Sequence, residues 1–406
     1  MKGLLKFQKK SSSNVHFLSS RMKPQNKIHL KLYHINGEET FPVPRLLYKV
    51  LYWTGLIDSS KKTVWNRMAL AIFTILLHFA CFDIWYVTIK EFGTKLLKIG
   101  FSYLISYSLI IVVWYTSTYK RKHTRKLLLS IKEIKYFTGE KTINLLVILF
   151  CILPITLAGV VVSSKKDWND GSAYSYGYNA GNFLTKIIIF YVKTSLYYLI
   201  YPTYSNIVVL LYCTLCLRCC EHFNLLSQEI DQCAPEAFGL PKQLDILKRR
   251  AKTKCILITI QDTFSLPVML IMIENVIMCG SIIGWFLIRS WDESTRRWKT
   301  EAAYYGINAF LSVVSIFWVA GTLPIAMNKF KENFHSKTHA RLLYYHTKDE
   351  LYLKGEVLNE PDFVLTGCEI VSYRRNTILA FAGTLLTYTI LLMNADSVEY
   401  SESILV

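Results

Sequence analysis

The stretch INLLVILFCILPITLAGVVVSS, from Ile143 to Ser164, contains 22 residues and no charged side chain. A helix of about 20 mainly apolar residues, rising about 1.5 Å per residue, crosses the roughly 30 Å hydrocarbon core of a bilayer. This stretch therefore predicts a membrane span, and six further stretches share its length and character. The sequence predicts an all-α polytopic membrane protein with seven spans, at residues 68–90, 97–118, 143–164, 184–213, 257–289, 305–327 and 375–395.

The overall composition is typical of a membrane protein and not of a soluble one. The chain has 406 residues, 52% of them hydrophobic, and the charges behind its formal balance of +18 are confined to the segments between apolar stretches. A basic surplus of this kind faces anionic lipid on cytoplasmic loops, so membrane lipid is an expected partner and nucleic acid is not. The ten cysteines show no disulfide framework, and the polar first 67 residues contain no cleavable signal peptide.

The distribution of Lys and Arg sets the predicted orientation. With the amino terminus inside, the inner segments contain 36 of these residues and the outer segments contain 9. The basic segment YKRKHTRKLLLSIKEIKYFTGEKT, which begins at Tyr119, supports this assignment by itself. Because positive residues are retained on the cytoplasmic side, the sequence predicts a cytoplasmic amino terminus and an extracellular carboxyl terminus. This topology is opposite to that of G-protein-coupled receptors.

Two features of the polar segments are also predicted. Spans four and five are longer than a bilayer requires and share a polar loop, so both are expected to continue as helices into the cytoplasm. In the segment from Leu358 to Asn376, Pro361 precedes an amphipathic pattern that predicts a cytoplasmic helix before the last span.

Two short motifs resemble a known family. The last apolar stretch contains Thr387 and Tyr388, five residues, and then Asn394 and Ala395, where the insect gustatory receptor family has Thr-Tyr, five residues and Gln-Phe. The segment FPVPRLLYKVLYWTGLID, from Phe41 to Asp58, resembles that family's helix before span one. With its seven spans and inverted topology, the chain resembles the insect gustatory receptors, within the insect chemoreceptor superfamily.

The resemblance implies a function and an arrangement of the chain. It implies a ligand-gated, nonselective cation channel in the plasma membrane of a sensory neuron dendrite, opened by a small tastant and formed as a homotetramer or as a heteromer with related receptors. The parts that it implies are a cytoplasmic segment (1–67), a six-helix ligand-binding domain with cytoplasmic extensions of helices four and five (68–327), a cytoplasmic anchor segment (328–374), a pore helix (375–395) and an extracellular tail (396–406).

In the last span, residues three and four positions apart share one face of the helix. That spacing places Leu391, Asn394 and Ala395 along one stripe, with Thr387 and Tyr388 one turn earlier. Around a four-fold axis, Leu391 would form a ring that excludes water and Asn394 a ring of amides facing permeating cations. The alternative interpretation is that Asn394 only marks the end of the helix at the membrane surface.

Ionisable and aromatic residues deep in the spans or in their outer halves are the candidate ligand-binding groups. Lys193 and Glu274 lie deep in apolar sequence, and they are predicted either to pair with each other or to bind a polar ligand. Aromatic rings can stack on a ligand while their polar tips form hydrogen bonds, although such residues also form the interfacial belt of membrane proteins. The candidates are Tyr107, Tyr191, Lys193, Tyr197, Glu274, Trp285, Tyr305 and Asn308.

Other functional classes have less support in the sequence. The close cysteines of CTLCLRCC, from Cys213 to Cys220, lack a second ligand cluster, so palmitoylation or packing is expected there and a zinc or iron–sulfur site is not. No nucleophile with a base, phosphate-binding glycine loop or pair of metal-ligating histidines stands out, so neither an enzyme nor a cofactor is expected. A transporter of a small polar solute is the main alternative, and a G-protein-coupled receptor would need the reverse topology.

Overall fold

The computed structural model describes residues 43–58, 64–91, 93–132, 134, 139–164, 176, 182–288, 296–345 and 347–404, with side chains throughout except at 66, 91–100 and 391–404. Over these residues the fold consists of eleven α-helices and one short hairpin. The helices are α1 (Arg45–Trp53), α2 (Val64–Glu91), α3 (Gly93–Tyr119), α4 (Arg121–Lys132), α5 (Glu140–Ser163), α6 (Phe183–Tyr198), α7 (Ser205–Gln232), α8 (Leu240–Ile288), α9 (Arg296–Leu342), α10 (Lys348–Asn359) and α11 (Thr377–Ile404), with strands β1 (Thr366–Gly367) and β2 (Val371–Ser372) between α10 and α11.

Among the described residues, six helical segments are long and apolar enough to cross a membrane, and they coincide with the first six predicted spans. A shorter apolar helix, Thr377–Ile390, begins α11 where the seventh span is predicted. The prediction of an all-α polytopic membrane protein is confirmed. The six segments are Arg67–Lys90, Phe101–Tyr119, Glu140–Ser163, Phe183–Gln232, Leu240–Phe286 and Arg296–Leu342.

The last three of these six segments contain 50, 47 and 47 residues, more than twice what a bilayer requires. Spans four and five are predicted to continue beyond the membrane, and their helices have the length that such extensions need. The sixth also continues, to the end of α9, although its span is predicted to stop at residue 327. The polar sequence of this extension has one buried face, since Phe330 and Phe334 lie one turn apart and pack against Phe223 of α7 and Phe238.

The core of the bundle lies where α7 packs along α9 and α8 packs along α3, with α11 against α8 and α9. The helix predicted before span one is α1. Its Leu47 and Leu51 are fully buried, and the amide of Leu46 donates to Asn144 Oδ1 of α5 at 3.3 Å. The amino-terminal helix is therefore packed against the membrane bundle.

The fourth span is not one straight helix. An irregular turn, Leu199–Tyr204, joins α6 to α7 and contains the cis peptide bond between Tyr201 and Pro202. Tyr201 has an extended backbone, with φ −129° and ψ 128°, the conformation that a residue before proline prefers. Its side chain and that of Tyr204 are buried, so the interruption places two aromatic rings inside the bundle.

The segment from Leu358 to Asn376 is not the predicted amphipathic helix. After α10 the chain is irregular and then forms the antiparallel hairpin of β1 and β2. The turn of the hairpin places Cys368 and Glu369 at positive φ, 51° and 62°. Burial alternates along the strands as the hairpin rests on α8, and an apolar pattern over so few residues does not distinguish a strand from a helix.

Candidate functional site

A cavity of about 210 Å³, which we call the outer cavity, lies between α2, α3, α6 and α9. The cavity is near one end of each of α2, α3 and α9, and the predicted orientation places these ends on the outer side of the membrane. Its lining combines aromatic rings and hydroxyl groups with one guanidinium and one carboxylate, which suits a ligand that is both polar and partly apolar. The lining residues are Ile84, Val87, Thr88, Tyr103, Thr194, Tyr197, Tyr198, Arg297, Trp298, Glu301 and Tyr305.

Tyrosine rings form one wall of the cavity. Tyr198 and Tyr103 meet Tyr305 edge-on, with ring centroids 5.6 and 5.8 Å apart. Behind this wall, Tyr201 stacks on Tyr305 at 5.4 Å with the ring planes 12° apart. Because close-packed rings transmit displacement, a movement of Tyr305 would displace Tyr201, in the turn between α6 and α7.

The outer end of α9 supplies the charged groups of the cavity. Arg297 Nε donates to Glu301 Oε1 at 3.1 Å, one helical turn away, and the guanidinium lies 5.0 Å from the ring centroid of Phe190. Trp298 stacks on Trp285 of α8 with centroids 4.7 Å apart. The cavity is therefore bordered by a donor, an acceptor and an indole ring, all held by neighbouring side chains.

A buried ion pair lies directly behind Tyr197. Asp83 of α2 accepts hydrogen bonds from Lys193 Nζ of α6 at 3.0 Å, from the hydroxyl of Tyr176 at 2.5 Å and from the hydroxyl of Tyr197. The side chains of Asp83 and Lys193 are only 1% and 8% exposed. Tyr107 donates to the carbonyl oxygen of Tyr197 at 3.1 Å. Tyr197 therefore lines the cavity while its backbone carbonyl and its hydroxyl are both held by hydrogen bonds.

Glu274 has a different partner from Lys193, so the predicted pairing of these two residues is not found. It is fully buried in α8, and its carboxylate accepts from Ser205 Oγ at 3.1 Å. The adjacent Asn275 donates to Ser312 Oγ of α9 at 3.1 Å, and the hydroxyl of Tyr201 lies 3.5 Å from Asn275 Oδ1. Polar contacts therefore join α7, α8 and α9 to the rings behind the cavity.

The structure brings part of the predicted ligand-binding set together. Two of the residues line the cavity, three are joined to the lining by one or two contacts, and three lie elsewhere. The first two are Tyr197 and Tyr305, the next three are Tyr107, Lys193 and Trp285, and the others are Tyr191, Glu274 and Asn308.

Several residues of the site are absent from the predicted set. Asp83 has a clear signal in the sequence, because it stands in the apolar run ACFDIWYV as Lys193 stands in its own run. Arg297, Trp298 and Glu301 have no such signal, since the sixth span is predicted to begin only at residue 305. These three residues belong to the part of α9 that precedes residue 305, and this part of the helix also lines the cavity.

α11 carries the predicted pore residues, and the part whose side chains are described, up to residue 390, packs on one side. Ile378, Phe381 and Leu385 are partly buried against the core, whereas Leu379 and Leu386 are exposed apolar residues. A helix that leaves this much apolar surface uncovered is typical of a contact with lipid or with another protein chain.

The predicted pore residues fall on two parts of α11. Thr387 is exposed, and its hydroxyl donates to the carbonyl oxygen of Gly383 at 2.9 Å. Tyr388 lies beside α8, where a Cβ on Gly280 would be 3.5 Å from Tyr388 Cε1. The helix continues through the other three positions, whose side chains are outside the described residues: Leu391, Asn394 and Ala395.

Ionic contacts fix the segment between α10 and the hairpin to α8 and α9. Glu360 pairs with Arg250 and Lys254 of α8. Lys331 of α9 donates to the carbonyl oxygen of Glu360 at 2.7 Å and to Asp362 Oδ1 at 2.8 Å. Burial alone would raise the pKa of Glu360, but hydrogen bonds and charges from Lys254 and Arg250 outweigh it and hold this pKa below the ordinary Glu value.

The hairpin itself is bonded to α8 by two side chains. Gln261 donates to the carbonyl oxygen of Thr366 at 2.7 Å and accepts from the Thr366 amide at 3.0 Å. Ser265 accepts from the Cys368 amide at 2.7 Å. These bonds satisfy backbone groups that a two-residue strand pair leaves open.

The chain then approaches α9 very closely before α11 begins. A Cβ at Gly321 would lie 2.7 Å from the amide nitrogen of Arg375, so only glycine fits there without movement. The buried ring of Tyr373 meets Phe317 and Tyr212 edge-on, at 5.9 and 6.4 Å. The first turn of α11 therefore starts from a point fixed by backbone contact and by aromatic packing.

The clustered cysteines are core residues. Cys213, Cys216, Cys219 and Cys220 are all buried in α7, and an acyl chain needs an accessible thiol. Of the two roles expected for this segment, the structure favours packing over palmitoylation. Among the described residues, no group of three or more His, Cys, Asp or Glu side chains is placed to hold a metal ion.

No protein-family model matches the sequence, and no curated protein does. The fold is similar to two solved structures of the insect olfactory receptor OR5 from Machilis hrabei, one of them in complex with eugenol. Each shares 12% sequence identity with this chain and covers 86% of it, and the match includes 97% and 96% of the receptor chains, with TM-scores of 0.65 and 0.63. The resemblance to insect chemoreceptors is confirmed at the level of the fold.

Proposed function

We propose that this chain, which has the fold of the insect olfactory receptors, is a ligand-gated ion channel of the chemoreceptor type. The observation that carries the proposal is the outer cavity, in which tyrosine rings and the pair of Arg297 and Glu301 surround a space of about 210 Å³. The Thr387 and Tyr388 motif favours the gustatory branch. The ligand is then a tastant, and the protein resides in the plasma membrane of a sensory neuron dendrite.

The chemistry of the cavity limits the ligand. The space is smaller than the pockets that hold drug-sized molecules, which favours a molecule with a single sugar ring or a single aromatic ring. Tyr103, Tyr198 and Tyr305 offer ring faces and edges, while Thr88 and Thr194 offer hydroxyl groups. A ligand with one apolar face and several hydrogen-bonding groups uses both kinds of lining.

The path from ligand to pore runs along α9. This helix contributes Tyr305 to the cavity and Gly321 to the contact with the start of α11. It is continuous between these residues, so a ligand that shifts its outer end also shifts the support of the last helix. The contacts of Asn275 with Ser312 and Tyr201 give α8 a part in the same movement.

The pore is formed by α11 from four copies of this chain, or from this chain and related receptors. Positions 391 and 394 follow Thr387 by four and seven residues, which is the spacing of one helical face. Thr387 is exposed, on the side opposite the packed residues Phe381 and Leu385. Leu391 then closes the pore by excluding water, and Asn394 faces nonselectively conducted cations. Exposed apolar residues in the cytoplasmic part, such as Tyr352, support assembly of the copies there.

Agonist-evoked current in cells that express only this chain tests the proposal. A panel of monosaccharides and single-ring phenols or amines is applied, and extracellular Na⁺ is replaced by a large organic cation. Tyr305→Phe removes the hydroxyl group of a residue that lines the cavity and is expected to raise the half-maximal agonist concentration about tenfold. Tyr191→Phe, outside the cavity, is the matched control. Uptake of labelled solute without current would favour the transporter instead.

A further inference from the structure

A second and larger cavity, which we call the inner groove, lies between α5, α7 and α9. Its volume is about 540 Å³, and its lining runs from Asn206 to Glu221 on α7 and from Asn308 to Val319 on α9. The lined part of α9 is about 16 Å long, which is about the depth of one leaflet of hydrocarbon. In the predicted orientation, Glu221 is at the cytoplasmic end of the inner groove, and Asn206 and Asn308 are at the end farther from the cytoplasm.

The inner groove opens toward the bilayer. Leu149 of α5 and Leu311 of α9 line it from opposite sides and are 48% and 56% exposed. Leu145 and Ile307, on the same two helices but outside the lining, are also exposed. Because this surface is apolar and at the depth of the hydrocarbon, an occupant reaches the inner groove from the lipid.

The deep end of the inner groove is polar. Asn206 Nδ2 donates to Asn308 Oδ1 at 2.9 Å, Asn308 Nδ2 donates to the carbonyl oxygen of Tyr304 at 2.8 Å, and Ser312 Oγ accepts from Asn275 at 3.1 Å. Asn206 and Ser312 are 8% and 5% exposed. Among the described residues, these bonds use neither the amide oxygen of Asn206 nor the hydroxyl hydrogen of Ser312, so one acceptor and one donor remain for an occupant.

The other lining residues limit the charge of the occupant. Glu221, at the shallow end, is the one acidic residue of the lining, which contains no Lys, Arg or His. An anionic head group at that end would add a second negative charge beside this carboxylate. An acyl chain reaching the deep end would bury the Asn206 oxygen and the Ser312 hydroxyl against hydrocarbon, which is costly. An uncharged molecule with a hydroxyl at its deep end avoids both penalties.

We propose that the inner groove binds an elongated, uncharged lipophilic molecule with one hydroxyl group, of the long-chain alcohol class. The hydroxyl lies at Asn206 and Ser312, and the chain runs along the aliphatic walls toward Glu221. Ser312 is bonded to Asn275, which is in reach of Tyr201 behind the outer cavity. Occupancy therefore changes agonist sensitivity. That effect rests on the proposed channel function, whereas the binding itself does not.

Photolabelling of the purified full-length protein in phosphatidylcholine nanodiscs tests the binding. The probe is hexadecanol carrying a diazirine, and the labelled peptides are identified by mass spectrometry. Labelling is expected in α5, α7 and α9 beside the inner groove, to be displaced by unlabelled hexadecanol, and to exceed that of the matched diazirine hexadecane about tenfold, because the alkane forms no hydrogen bond. Equal labelling by the alkane would show an acyl-chain groove and overturn the proposal.

Two variants locate the label. Leu311→Trp fills the mouth of the inner groove at a side chain that is already exposed, and it should abolish labelling, whereas Ile307→Trp on the same helix should not. The double variant Asn206→Leu with Asn308→Leu removes both amides, so neither is left unpaired, and it should erase the preference for the alcohol. Full labelling of the Leu311→Trp variant would refute the site even if the double variant does not fold.

The outcomes separate this inference from the proposed function. Absence of labelling in a protein that gives normal agonist-evoked current overturns the inner groove alone. Labelling with alcohol preference in a protein that gives no current with any agonist keeps the site and counts against the channel. In a conducting protein, hexadecanol should shift the half-maximal agonist concentration of the wild type and not that of Leu311→Trp.

Discussion

The Lys193→Met variant is expected to lose much of its stability, because it leaves a buried carboxylate without its counter-charge. Asp83 has a side chain that is 1% exposed and would keep only the phenol donors of Tyr176 and Tyr197. The Asp83→Asn variant creates the converse defect, a buried ammonium group with neutral partners. Removing one member of a buried ion pair typically costs about 3–5 kcal/mol, since the remaining charge stays desolvated.

The distance between the two charges gives an attraction energy of similar magnitude to this loss of stability. At 3.0 Å and an effective dielectric constant of about 20, the attraction between unit charges is about 5–6 kcal/mol before desolvation is considered. The double variant Asp83→Asn with Lys193→Met removes both charges and retains an oxygen that accepts from the two phenols. Its loss should be only about 1–2 kcal/mol, so the interaction energy in the double-mutant cycle should be at least about 4 kcal/mol.

Denaturant unfolding of the purified protein, followed by tryptophan fluorescence, measures the four corners of this cycle. Lys186→Met is the control, because Lys186 is half-exposed on the same helix and has no ion pair among the described residues. The reasoning is wrong if Lys193→Met is no less stable than this control. It is also wrong if the losses of the two single variants add in the double variant.

Gly321→Ala should lower the free energy of unfolding by about 1–3 kcal/mol, because it forces α9 away from the backbone before α11. Gly355→Ala should be neutral or stabilising, because its Cβ would meet nothing within 4 Å, and the melting temperatures of the two variants test this contrast. Because the pKa of Glu360 is lowered in the folded protein, the stabilisation from its ion pairs is present above the unfolded pKa, about 4.3. This stabilisation is lost as pH falls through the folded pKa, so Glu360→Gln should flatten the fall of melting temperature below about pH 5. Leu391→Ser should raise ligand-independent current, and Asn394→Ala should alter permeability ratios; normal leak and permeability at normal surface expression would remove α11 from the pore.

The spans could be predicted because each depends on the composition of one continuous segment. A run such as Ile143–Ser164 has to be satisfied by its own helical hydrogen bonds in a bilayer, whatever it packs against. The extension of α9 and the hairpin after α10 depend instead on contacts between distant segments. Phe330 is buried because Phe223 is beside it, and Thr366 forms a strand because Gln261 bonds to its backbone.

The candidate site was partly predictable for the same reason. Charged residues in apolar sequence stand out locally, so Lys193 and Glu274 could be selected, and Asp83 could have been. Their partners could not be read from spacing, because Asp83 is 110 residues from Lys193. The inner groove had no signal at all, since Asn206 and Leu311 acquire a shared function only when α7 and α9 pack together.

In the predicted orientation, the fixed start of α11 makes the last helix a lever with its pivot on the cytoplasmic side. Position 391 lies 14 residues beyond Thr377, which is about 21 Å along the helix axis. A tilt of about 5° at the pivot would carry this position sideways by about 2 Å over that arm. In a four-fold assembly the opposite walls would separate by about twice that distance. In the proposed channel, so small a rotation at the pivot would therefore be enough to let water into the ring of Leu391 side chains.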